Sequence, residues 1–71
     1  MQKKSSEEVL EMMIQLLLVY LEELSVYKDI DGEQFLYGER TAYTECLELI
    51  QEWEYADING LNFDIEEKYP L

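Results

Sequence analysis

Apolar residues in the first third of the chain recur with the spacing of one helix face. The row steps by four, three, four and three positions: Leu10, Ile14, Leu17, Leu21 and Leu24. Ser5, followed three positions later by Glu8, fits a capping box, in which each residue satisfies a backbone N–H that the helix leaves unpaired. The pattern predicts a helix over about residues 6–29, ended by the pair Asp31-Gly32.

A second row of apolar and small residues repeats every seven positions: Phe35, Ala42, Leu49 and Ala56. It predicts a second helix over about residues 33–56, with Asp31 and Gln34 as a further candidate capping box and Asn59-Gly60 as its stop. Because only a few residues connect the two helices, we expect them to pack as an antiparallel αα-hairpin.

Three residues lie between the members of the second row on the same face, and each carries an expectation of its own. Gly38 costs a helix about 1 kcal/mol relative to Ala, so it either lets two helices approach closely or marks the true start of the helix. Cys46 is expected to be a buried structural thiol, because the sequence offers no base of the usual kind beside it. Trp53 is expected to anchor a core or an interface.

The last eleven residues, 61–71, form a short tail of mixed composition. Asp64 to Glu67 favour one further helical turn, and Pro70 would stop it. Leu61, Phe63 and Ile65 are expected to fold back over the open end of the hairpin. The sequence therefore predicts one all-α domain over 1–71, an antiparallel two-helix hairpin with a short tail.

The first helix carries more apolar surface than one partner helix can cover. Between Val9 and Leu21 only Glu11 and Gln15 are plainly polar, whereas a helix that faces one partner needs an apolar stripe of about 100°. A domain of about 70 residues also has a small core. We therefore expect a twofold homodimer that closes a four-helix bundle. The residues expected at its interface are Val9, Met12, Met13, Leu16, Leu18, Val19, Tyr20 and Trp53.

Two alternatives to this use of the surplus surface stay open. In one, the C-terminal tail covers it within a monomer. The other concerns Met12 and Met13. They form an adaptable groove for a partner, since Met side chains repack easily, or they fill the core.

The composition excludes several kinds of chemistry. The 71 residues include 17 acidic and 5 basic residues, for a net charge of −12, with no His and one Cys. A His-based triad, a Cys/His zinc site, an intrachain disulfide and a basic nucleic-acid surface are therefore not available. We expect no catalytic residue, no metal ligand and no cofactor, and we expect Arg40 and Lys28 to form ion pairs with nearby carboxylates.

Pairs of carboxylates at helical spacing are the one feature that points to an enzyme. Glu8-x-x-Glu11, Glu45-x-x-Glu48 and Glu54-x-x-Asp57 resemble the Glu-x-x-Glu and Glu-x-x-Asp pairs of α-helical nucleotide pyrophosphohydrolases, which hold Mg²⁺. The Lys and Asn substrate contacts of those enzymes are not evident here. Such pairs also arise by chance in an acidic chain, so solvated acidic faces are the preferred interpretation.

The acidic balance supports a different alternative, mimicry of nucleic acid. A helical protein with exposed rows of carboxylates can imitate the charge of duplex DNA, about one charge per 1.7 Å of axis. Such a mimic would occupy a basic DNA- or RNA-binding protein, and its binding would depend strongly on salt.

No stretch of the sequence resembles a signal peptide or a membrane span. The longest unbroken apolar run, Leu16 to Leu21, has six residues, against about 7–15 for a signal peptide core and about 20 for a transmembrane helix. With a single unpaired thiol, this predicts a cytoplasmic protein.

Residues 35–51, FLYGERTAYTECLELIQ, resemble a segment of small uncharacterised acidic proteins of Gram-positive bacteria and their mobile elements. The resemblance covers about a quarter of the chain. It implies a bacterial, cytosolic, helical protein, and it transfers no functional residues because that grouping has no established activity.

The interpretation that best joins these observations is a non-enzymatic interaction or regulatory protein that forms a homodimer and binds a protein partner, with a basic protein as one candidate. Nucleic-acid mimicry is the alternative, and a carboxylate-dependent nucleotide hydrolase is the third.

Overall fold

The computed structural model describes residues 3–26 and 34–70, and within them the chain is entirely helical and turn, with no strand. Its elements are α1 (Ser6–Ser25), α2 (Gln34–Ile50), a 3₁₀ turn (Asp57–Asn59) and α3 (Ile65–Lys68). The two long helices pack against each other, and α3 packs against α2. The predicted all-α helical hairpin is therefore confirmed.

α1 forms as the sequence predicts at its N-terminus and along its buried face. The Ser5 hydroxyl accepts from the Glu8 N–H at 3.2 Å, and the Ser5 N–H donates to Glu8 Oε1 at 3.2 Å, which completes the capping box. Four members of the predicted row are buried and the fifth is half-buried: Ile14, Leu17, Leu21 and Leu24, with Leu10. α1 ends at Ser25. The predicted continuation over 27–29 and the caps at Asp31-Gly32 lie outside the described residues.

α2 buries a different face from the one that the seven-residue repeat predicts. Phe35, Ala42 and Leu49 are exposed, and Cys46 is exposed as well, so the predictions of an inner face and a buried thiol are wrong. The repeat failed because it contains small residues that bury little apolar area, whereas the adjacent row carries larger side chains. The face that turns inward buries Arg40, Thr44, Leu47 and Ile50, with Leu36 and Tyr43 half-buried beside them.

α2 also ends at Ile50, six residues before the predicted end at residue 56. Beyond it the backbone tightens into bonds three residues apart, from the Trp53 N–H to the Ile50 carbonyl at 2.9 Å and from the Ala56 N–H to the Trp53 carbonyl at 3.0 Å. No Gly or Pro marks this end. Carboxylates at the C-terminus of a helix oppose its dipole, and Glu48 and Glu52 repel each other four residues apart.

Neither of the two explanations predicted for Gly38, a close helix approach or the start of the helix, holds. α2 begins at Gln34, so Gly38 does not mark the start. A Cβ at Gly38 would meet nothing within 4 Å among residues 3–26 and 34–70, so no close approach between these residues requires a glycine there.

The tail packs back on the helices as predicted. Gly60 adopts a left-handed conformation with φ of 102°, and the Leu61 N–H bonds to the Ala56 carbonyl at 3.0 Å, closing a Schellman motif. This turn sends Leu61 and Ile65 into the core. The Asp64 side chain then caps α3 by accepting from the Glu67 N–H at 3.1 Å.

Hydrogen bonds from two side chains hold the tail in place. The Gln51 amide donates to the carbonyl oxygens of Leu61 at 3.1 Å and Phe63 at 2.8 Å. The Tyr69 hydroxyl donates to Glu22 Oε1 at 2.8 Å, which ties the end of the chain to α1. Burial, and then the hydrogen bond to Glu22, raise the pKa of Tyr69 to about 12.

Arg40 is a charged group among the buried residues, and Thr44 is the other buried polar residue of α2. Arg40 is only 6% exposed, and its Nε and Nη1 atoms have no hydrogen-bond partner among the described residues. The expected ion pair is therefore not made by these two nitrogens; the guanidinium lies 5.7 Å from the centre of the Tyr37 ring instead. Lys28, for which the same was expected, lies outside the described residues. A buried donor without a partner costs about 1–3 kcal/mol.

Replacing Arg40 by an apolar side chain should therefore stabilise the fold. We expect Arg40→Met to raise the free energy of unfolding by about 1–3 kcal/mol, because it removes unpaired buried donors. Urea denaturation measures the change. Lys3→Met is the matched control, since Lys3 is exposed and the net charge changes equally. A loss of stability in Arg40→Met that exceeds the loss in the control would contradict the prediction.

The hydrogen bond from Tyr69 to Glu22 should make the stability of the fold decrease at high pH. The unfolded chain releases the tyrosine proton near pH 10 and the folded chain near pH 12, so the stabilisation is complete below pH 10 and is lost as pH rises through that interval. We expect Tyr69→Phe to lose about 1 kcal/mol at neutral pH and to show a shallower decline above pH 10. Urea denaturation across this range measures both effects, with Tyr55→Phe as the control. Equal declines in wild type and Tyr69→Phe would refute the assignment.

Candidate interaction surface

α1 carries a second apolar face on the side opposite its buried row. Six of the eight residues predicted at an interface lie on this side, each between 37% and 55% exposed. We call them the outer face: Val9, Met12, Met13, Leu16, Val19 and Tyr20. The outer-face residues also recur every three or four positions, but they are offset from the buried row and therefore lie on a different side of the same helix.

Only a narrow polar border separates the two apolar faces along one side of α1. It consists of Glu8, Glu11, Gln15 and Glu22, all of them exposed. A surface helix of a globular protein has one apolar stripe and an opposite polar face. α1 departs from that pattern because its most exposed side is apolar.

The outer face forms one shallow, open trough along the helix. Val9, Met12, Leu16 and Val19 line its length, and Lys4 lines it beside the N-terminus of α1. Lys4 was not predicted as part of any site. Glu11 and Gln15 line the trough as well, so an apolar row lies beside two polar side chains, with a cation at one end.

The other two predicted interface residues pack on the core. Leu18 and Trp53 are half-buried against the buried cluster, and the Trp53 ring meets the edge of Tyr55 at 5.8 Å between ring centres. They lie on the rim of the core and apart from the outer face.

Tyr43 of α2 borders the outer face, and sequence reasoning missed it. Its ring centre lies 5.3 Å from that of Tyr20. Burial, then the negative charge of Glu39 and the neighbouring Tyr20 phenol, raise the pKa of Tyr43 above its ordinary value. The signal available in the sequence was the seven-residue step from Leu36 to Tyr43, which places both side chains on one face of α2.

The tail leaves the outer face open. Leu61, Ile65 and Tyr69 are buried in the core, yet the outer face is still exposed. The alternative in which the tail covers the surplus surface is therefore contradicted. Because Met12 and Met13 lie outside the core, the alternative that makes them core filler is contradicted as well.

The total exposed area agrees with this view of the surface. A folded monomer of 8.5 kDa is expected to expose about 4,700 Å², whereas the isolated chain exposes 5402 Å². The excess of about 700 Å² belongs to the molecule as a whole.

The carboxylate pairs do not gather into a site in the described part of the chain. Residues 3–26 and 34–70 contain no group of three or more Cys, Asp or Glu side chains placed to hold a metal ion. Glu8, Glu11, Glu45 and Glu48 are each exposed. Within the same residues, no helix has the length and hydropathy needed to cross a bilayer.

Comparison with protein-family models, with curated proteins and with solved structures finds no match for this chain. The functional assignment therefore depends on the outer face alone.

Proposed function

We propose that this chain is a non-enzymatic interaction or regulatory protein that works as a homodimer, with the outer face of α1 as its contact surface. The observation that carries the proposal is the row of six exposed apolar side chains on one side of one helix. Monomeric proteins rarely expose contiguous apolar patches larger than a few hundred Å².

A second copy of the chain is the simplest occupant of this surface. A twofold dimer uses the same patch on both subunits, so each copy covers the other's exposed side chains. Two hairpins joined in this way bring four long helices together, as in a four-helix bundle. The net charge of −12 opposes association, so the contact has to be driven by apolar burial and should strengthen as salt screens the repulsion.

A basic protein partner is the competing occupant. The exposed carboxylates of α1 and α2 would attract such a partner, and nucleic-acid mimicry would then be the function. Binding of that kind weakens steeply as salt rises. Salt dependence therefore has opposite signs for the two proposals.

We further propose a bacterial cytoplasmic setting. Its support is the resemblance of residues 35–51 to small acidic bacterial proteins, together with the single thiol of the chain.

A charge placed on the outer face should abolish the dimer. We expect Leu16→Lys to weaken self-association at least tenfold, equivalent to about 1.4 kcal/mol, because each copy would bury an unpaired ammonium group in the contact. The substitution lowers the net negative charge, so general repulsion cannot explain a loss. Sedimentation equilibrium at several protein and salt concentrations measures the effect.

Ile58→Lys is the matched control, because Ile58 is an apolar residue that is 81% exposed and lies outside the outer face. The control should dimerise like the wild type, and both variants should retain the helical circular dichroism of the folded chain. A wild-type chain that stays monomeric into the high micromolar range, or a Leu16→Lys variant that dimerises normally, would overturn the proposal.

A further inference from the structure

The outer face has opposite charges at its two ends. Val9, Met12, Leu16 and Val19 step by three, four and three residues, which is the seam of a two-helix coiled coil. A further step of four reaches Glu23, which is exposed at the C-terminal end of α1. At the other end the seam meets Lys4, which lines the same trough.

We propose that the second copy lies on the outer face with its α1 antiparallel, so that Lys4 of each copy faces Glu23 of the partner subunit. This inference builds on the proposed homodimer and adds the orientation and register of the two chains. The apolar seam, beside which Glu11 and Gln15 lie, has Lys4 at one end and Glu23 at the other. A twofold contact brings these two opposite charges together only when it reverses the direction of the second helix.

The register follows from the seam. Antiparallel pairing places Val9 opposite Val19 of the partner subunit and Met12 opposite Leu16 of the partner subunit. The twofold axis then passes at the level of residue 14 along α1, midway between Met12 and Leu16. In this register Lys4 comes within one residue of the level of Glu23 of the partner subunit.

Parallel pairing is disfavoured by charge. It would bring the two copies of Glu23 together on the seam and the two copies of Lys4 together at the other end, and like charges in contact destabilise an interface. Antiparallel pairing replaces both repulsions by two attractions.

A charge-reversal cycle tests the orientation. We expect Lys4→Glu and Glu23→Lys each to weaken dimerisation about tenfold, since each disrupts two symmetric pairs, and we expect the double variant to recover wild-type affinity. Net charge alone predicts a different result, because Glu23→Lys lowers the total negative charge and would then strengthen the dimer. Glu54→Lys is the control, with the same change in net charge at an exposed residue away from α1.

Disulfide cross-linking gives an independent measurement of orientation. In a Cys46→Ser background, a mixture of Lys4→Cys and Glu23→Cys chains should form mixed dimers on mild oxidation, whereas Glu23→Cys alone should cross-link poorly. Efficient cross-linking of Glu23→Cys to itself would establish the parallel arrangement and overturn the inference.

The outcomes separate the two proposals. A wild-type dimer in which the double reversal fails to recover affinity contradicts the antiparallel register and leaves the proposed homodimer intact. A wild-type chain that is monomeric under all conditions contradicts both.

Discussion

The structure depends on one constraint, which is that a single 20-residue helix carries two apolar faces. Hairpin packing and the tail cover one of them: α1 buries Ile14, Leu17 and Leu21 against α2 and the folded-back C-terminus. No element within the described residues covers the other face. A core built on one side of a helix does not shield the remaining sides, so the outer face stays in contact with water in the described part of the chain.

The charge of the chain sets the conditions under which that surface can be used. With 17 acidic and 5 basic residues, each copy repels the other, and apolar burial has to exceed this repulsion before two copies associate. Arg40, one of the few cations, lies in the core, where it cannot offset the surface charge of a neighbouring molecule. Lys4 is exposed at the margin of the outer face, so it is the cation placed to act between copies.

Local signals predicted the parts of the fold that local interactions determine. The capping box at Ser5, the buried row of α1 and the Gly60 turn each follow from a few adjacent residues whose chemistry permits one conformation. α2 lacked such signals, because its predicted face combined small residues with Phe35 and Leu49. Its true end at Ile50 carries no Gly or Pro, and the turn there is stabilised by Gln51, whose amide binds carbonyl groups ten and twelve residues away. Contacts of that range cannot be inferred from spacing.

The same distinction explains which parts of the candidate surface could be predicted. Periodicity along α1 identified the six outer-face residues, because exposure on a regular helix follows from position alone. The same periodicity assigned Leu18 to this surface, and the general preference of Trp for cores or interfaces assigned Trp53 to it. Both assignments failed, and Tyr43 was missed, because the surroundings of these residues depend on how the tail and α2 pack. The ends of the seam were missed because Lys4 and Glu23 are ordinary surface charges when read one at a time. They become informative only when both are placed at the ends of the same seam, since a charge at each end of a seam constrains the direction of a second helix that covers it.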